Sequence, residues 1–227
     1  MVNSKGHPVD VRSAYDADRA AALAGVPKST LHYWARTAVL IPSASRQRVR
    51  LWSFEDLMSL RIIDWLRRSK DDSLGHEIPG TSMRVIRRAL ESLRSLDMNL
   101  WSAGEGTPIR VDRAGKIYLD DDDEIRDPSG QTAWRDILNP LAPFSSIGSL
   151  KGPDLRQPRP HLRIVPGKLA GEPHIQNTRL ETRTIAALAH RGFAIDEILA
   201  MYPFVSQIQV EESIDLERQL AHNLSAA

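Results

Sequence analysis

From Asp16 to Lys70 apolar positions recur at the three- and four-residue spacing of helices, and a second such stretch from about Thr81 to Leu96 sets Val85, Ile86, Ala89, Leu90 and Leu93 on one side. Between Pro108 and Leu119 the period drops to two. The runs Ile109-Arg110-Val111-Asp112 and Lys116-Ile117-Tyr118-Leu119 flank an Arg-Ala-Gly turn, which predicts a β-hairpin, and the acidic run Asp120 to Glu124 follows it. From Asn139 to Pro160 five prolines, two glycines and several serines resist regular structure and read as a linker. After two short extended pieces around Pro166-Gly167, helical patterning returns over Thr182 to Arg191, Ile195 to Met201 and about Ser206 to Asn223. The fold predicted is mostly α: a winged helix-turn-helix in residues 1–96, a hairpin and acidic insert in 97–138, a Pro-rich linker in 139–160 and a trihelical, helix-turn-helix-like domain in 161–227. Cutting within 140–160 is expected to separate two independent folding units.

The densest local pattern lies between Tyr15 and Arg36. Asp16 is placed to cap a short alanine-rich helix, Gly25 to close it in a left-handed conformation, and Pro27-Lys28 to open a second helix. Ala21, Gly25 and Leu31 have the spacing of two helices crossing steeply, and Leu31 and Trp34 share the inward face. Lys28, Ser29, His32, Tyr33 and Arg36 then point outward as a cationic, hydrogen-bonding face fit for a major groove. Next comes a polar loop in which Arg46, Arg48 and Arg50 alternate, before Leu51-Trp52 return to apolar character and Ser53 caps a helix. This loop reads as a wing that sets guanidinium groups on phosphates.

Charge distribution supports that placement. The net charge is only +1, but residues 1–70 hold twelve Lys/Arg against six Asp/Glu, whereas residues 97–136 hold five against ten. The absence of cysteine excludes disulfides, thiolate chemistry and Cys-based metal sites. His161, His174, His190 and His222 have no partner at metal-ligand spacing, the acidic run lacks the pattern of a calcium loop, and no phosphate loop or hydrolase motif occurs. No catalytic role, cofactor or metal is expected. The first residues lack an apolar leader, and no stretch has the apolar length of a membrane span, so the expected location is the cytoplasm, away from any membrane.

Tyr15 to Leu60, with Ala21, Gly25-Val26, Thr30-Leu31, Tyr33-Trp34, Arg50-Leu51-Trp52-Ser53 and Glu55-Asp56-Leu57, resembles the DNA-binding domain of MerR-type regulators. It departs from the pattern at His32, where arginine is usual, and it has no long apolar helix after Leu96. The C-terminal text is a second recognisable unit: Arg163-Ile164-Val165-Pro166-Gly167-Lys168, Gly171-Glu172-Pro173-His174-Ile175, Thr178-Arg179-Leu180, Arg191-Gly192-Phe193 and Tyr202-Pro203. It resembles the small helical domain, long of unknown function, of VapB-like antitoxins; Asn177 stands where glycine is usual and tolerates a left-handed backbone. Together the resemblances imply an antitoxin whose partners are operator DNA and a PIN-domain ribonuclease toxin with an acidic, metal-dependent active site, assembled as a homodimer or a toxin–antitoxin hetero-oligomer. The alternative is a stand-alone MerR-like, ligand-responsive transcription regulator.

Overall fold

The computed structural model describes residues 13–47, 49–68, 70–71, 77–78, 80–95, 109–112, 117–119, 137–146 and 150–225. They are mostly helical, as the periodicity predicts. The Arg-Ala-Gly turn, the acidic run and Arg48 lie outside them. The contacts group residues 1–57 with 143–227 in one compact unit and place 58–142 in another. This is not the division expected at 139–160.

In the first unit, α1 (Ala17–Ala24) begins at Asp16, whose carboxylate accepts the Arg19 backbone N–H at 2.7 Å, and α2 (Lys28–Arg36) follows the Gly25 turn. A short antiparallel pair, β6 (Phe144–Ser145) and β7 (Lys151–Gly152), is followed by a second pair, β8 (Leu162–Arg163) and β9 (His174–Ile175). The chain then forms α5 (Thr182–His190), α6 (Ile195–Met201) and α7 (Gln207–Ser225). The stretch expected to be a linker is packed: Phe144, Leu150 and Leu155 are buried. Its prolines leave the ladders short, while its leucines supply the apolar surface that draws it inward. Asn177 takes the left-handed conformation its sequence position implied, with φ 62°.

What joins the N-terminal helices to the C-terminal ones is polar and specific. Arg19 on α1 donates two hydrogen bonds to the Glu217 carboxylate on α7, at 2.7 and 2.8 Å, and a third to Glu172 at 2.9 Å. Burial works against the Arg19 charge, but the hydrogen bond and charge of Glu217, followed by those of Glu172, outweigh it and hold the guanidinium above its ordinary pKa. The Tyr15 hydroxyl donates to the Gly171 carbonyl at 2.7 Å, and burial pushes its pKa far up. Asn223 on α7 donates to the Ala22 and Lys151 carbonyls, both at 2.9 Å, and accepts the Lys151 N–H at 3.1 Å. Gly25 makes a close approach: its φ of 68° needs glycine, and an added Cβ would lie 2.3 Å from the Gly152 nitrogen. Ile185, Ile198, Val210, Leu216 and Leu220 form the apolar side of the helical trio, with Leu188 and Ala189 only half-buried.

The second unit holds α3 (Phe54–Arg67) from Met58 onward, the two-residue strands β1 (Lys70–Asp71) and β2 (Glu77–Ile78), and α4 (Met83–Ser95). The predicted hairpin is β3 (Ile109–Asp112) paired with β4 (Ile117–Leu119), and β5 (Ile137–Leu138) adds to the other edge of β3. Leu60, Ile63, Leu66, Ile86 and Leu90 form its core. Arg61 is wholly buried and donates to the Pro140 and Ala142 carbonyls at 3.1 and 2.7 Å, so this cation serves the interior.

Removing Arg19 leaves two carboxylates facing one another in a poorly hydrated site. Arg19→Met is expected to destabilise the chain by about 3–5 kcal/mol in urea unfolding; a loss under about 1 kcal/mol would show the network to be ornamental. A second expectation concerns pH. His174 is buried, with Nδ1 3.0 Å from the Glu172 carbonyl, and burial lowers its pKa. The unfolded chain therefore binds more protons below the ordinary value of 6.5, and the stability due to neutral His174 is complete above 6.5 and lost as pH falls toward the lowered value. Between pH 7 and 5.5 the melting temperature should fall further in the native chain than in His174→Gln. Equal falls would remove His174 from the pH dependence.

Candidate nucleic-acid interface

The surface that α2 offers follows from what it buries. Leu31 and Trp34 are inside, each contributing about 1.5–3 kcal/mol through removal from water, and this fixes the rotation of the helix. Ser29, His32, Tyr33 and Arg36 are then all exposed, at the i, i+3, i+4, i+7 positions of a single stripe. The Arg36 guanidinium stacks 5.8 Å from the Tyr33 ring centre, an arrangement that orders the side chain while its N–H edges remain free to donate. Lys28 is half-buried and ion-paired with Asp18 on α1, so it stands at the margin of the stripe with a competing partner.

The path from α2 to the wing is set by backbone geometry. Thr37 closes the helix, its hydroxyl donating to the Tyr33 carbonyl at 2.9 Å, and Ala38 reverses the chain in the left-handed region at φ 53°. No sequence signal marks that reversal, because alanine is a residue that pays about 1–2 kcal/mol for it. The wing is anchored at its base by Asp56, whose carboxylate accepts the Ser43 and Ser53 N–H groups, each at 2.8 Å, while the Ser53 hydroxyl accepts the Asp56 N–H at 3.2 Å. Ser53 and Asp56 thus form the reciprocal cap that starts α3. Ser45 and Leu51 exchange backbone hydrogen bonds at 3.0 and 3.1 Å, closing a hairpin whose tip carries exposed Arg46, Val49 and Arg50. Trp52 pairs with Tyr15 through two 2.8 Å bonds, tying the wing to the residues that precede α1.

The structure therefore brings Ser29, His32, Tyr33 and Arg36 together on α2 and Arg46 and Arg50 on the wing, with Lys28 beside Asp18. Sequence reasoning passed over Val49, 64% exposed at the wing tip between two cationic positions. Its signal was the break in polarity within an otherwise polar loop. Such a group suits contact with sugars or base edges in a groove more than with phosphate. Basic composition also overstated the interface, since Arg19 is paired with Glu172 and Glu217, Arg61 is interior and Arg68 pairs with Asp64.

Residues 15–76 match the model of the MerR HTH family regulatory proteins, and residues 163–215 match the family described as a protein of unknown function (DUF433). No curated protein and no solved structure matches the chain. No helix among the described residues is long and apolar enough to cross a membrane. The chain carries a MerR-family helix-turn-helix domain, of the kind that binds DNA and regulates transcription, at its N-terminus and a DUF433 domain at its C-terminus.

Proposed function

We propose that the chain is an antitoxin that binds operator DNA through α2 and the wing, neutralises a PIN-domain ribonuclease toxin through its C-terminal module, and so represses its own operon. The observation that carries the reading is the joining of a MerR-type reading head to a DUF433 module in one compact unit, through Arg19, Glu172 and Glu217. A protein whose partner-binding module packs directly on its DNA reader is suited to making repression respond to the partner. The composition of α6 favours a protein ligand over DNA for that module. If α5 and α6 acted as a second helix-turn-helix, α6 would enter the groove, yet it presents Asp196 and Glu197 and carries no cation.

Two outcomes test the halves of this reading. Lys28, Arg36, Arg46, Arg48 and Arg50 together should give a plot of log affinity against log salt with a slope of about −4 to −5, and Arg46, Arg48 and Arg50→Ala together should reduce its magnitude by about 2–3. An unchanged slope in the triple variant would take the wing off the DNA. For the partner, if a PIN-domain ribonuclease reading frame lies beside its gene, the full chain co-expressed with that enzyme should co-purify with it and abolish its RNA cleavage. Full ribonuclease activity in the presence of folded, DNA-competent chain would reduce the protein to a transcription regulator without a toxin.

A further inference from the structure

One cation of the reading head already has an anion inside the chain. Lys28 is the first residue of α2, and its ammonium is ion-paired with the carboxylate of Asp18 on the first turn of α1. The two side chains are 44% and 52% exposed, so the pair lies at the surface, where an approaching polyanion meets it. Asp18 is not engaged elsewhere. The cap of α1 is Asp16, the base of the wing is held by Asp56, and among the described residues Lys28 is the one side chain bonded to Asp18. A carboxylate is out of keeping with this surface, since Arg36, Arg46 and Arg50 are exposed cations and α2 itself carries no acidic residue.

Lys28 is held to Asp18 for two physical reasons. The N-terminus of α2 is the positive end of the helix dipole, which is unfavourable to an ammonium, and the first turn of α2 supplies no anion of its own. Asp18 offsets both, and because the fold tethers it, it meets Lys28 at a high effective concentration. A DNA phosphate can take Lys28 only by displacing that carboxylate. The free energy of the pair is then subtracted from the phosphate contact, and the released carboxylate is left facing a polyanion. Phosphates are alike in every sequence, so the subtraction is alike too.

We infer that Asp18 is an affinity-setting residue of the reading head: an intramolecular competitor that reduces what Lys28 contributes to binding any duplex and so keeps the grip of the head reversible. The inference rests on α2 as the DNA reader and is independent of the toxin. Competition differs from plain repulsion between a carboxylate and DNA, because repulsion acts whether or not Lys28 is present.

The test titrates the full chain, at about 50–200 mM salt, with a duplex that the native chain selects from a random pool and with a duplex of mixed sequence. Asp18→Asn, at an exposed position, should leave the circular dichroism spectrum unchanged. It should tighten binding to both duplexes about three- to fivefold at the lowest salt, the strength of an exposed ion pair, and the gain should shrink as salt screens that pair. Asp18→Glu, which keeps the charge, should bind as the native chain does. In a Lys28→Ala background the gain from Asp18→Asn should fall below about 1.5-fold, the mark of coupling between the two side chains. Native affinity in Asp18→Asn, a gain as large without Lys28 as with it, or a gain confined to one duplex would each overturn the inference and leave α2 as the reader. A native chain that binds neither duplex would overturn both.

Discussion

The arrangement of the unit that joins the N-terminal helices to the C-terminal ones depends on one half-buried guanidinium. Arg19 sits on a face of α1 that would otherwise be solvated, and it reaches two carboxylates that come from 153 and 198 residues away in sequence. Drawing three charges from water is unfavourable, and it is offset only where geometry is good and the remaining hydrogen-bond capacity is filled. Here the fork of Arg19 meets Glu217 in a bidentate pair, and Glu217 further accepts the Thr182 hydroxyl. The network therefore specifies where α7 lies on α1, while the apolar contacts around it, which lack direction, supply the bulk of the stabilisation.

The remaining polar contacts between these elements have the same specifying character. Asn223 satisfies both backbone groups of Lys151 and the Ala22 carbonyl. The segment 150–175 is held to α7 at several points, among them Arg159 on Asp215 and Gln219 and the His161 backbone on Glu212. Gly171, at φ 86°, lets the chain pass so close to Tyr15 that a Cβ would lie 2.3 Å from the phenol oxygen. The reading head is in this way built partly from C-terminal residues. Changes in the module bear on α1 directly, and α1 is the helix against which α2 is set.

Local features were legible in the sequence and long-range ones were not. The rotation of α2 could be read from Leu31 and Trp34 because helical periodicity is a property of neighbours. The Ser53 cap, the Asp16 cap and the left-handed Asn177 were legible for the same reason. Arg19 and Arg61 counted as surface cations in the composition, since nothing nearby in sequence reveals a buried carboxylate or carbonyl waiting elsewhere. The 139–160 stretch misled through its prolines, which forbid long ladders without forbidding burial; Leu141, Leu150 and Leu155 were the overlooked signal. Ala38 gave no sign of its positive φ; the reversal there is closed by the Val39 and Leu40 N–H groups, which donate to the Trp34 carbonyl at 2.9 and 3.3 Å.

The central claim is that α1 and α7 belong to one cooperative body, and native-state hydrogen exchange on the full chain tests it most directly. The backbone amides of α1 and those in the middle of α7 should open with a common free energy, equal to that of global unfolding of their unit. Exchange of the α7 amides through openings that leave α1 protected, or of α1 with α7 protected, would contradict the account.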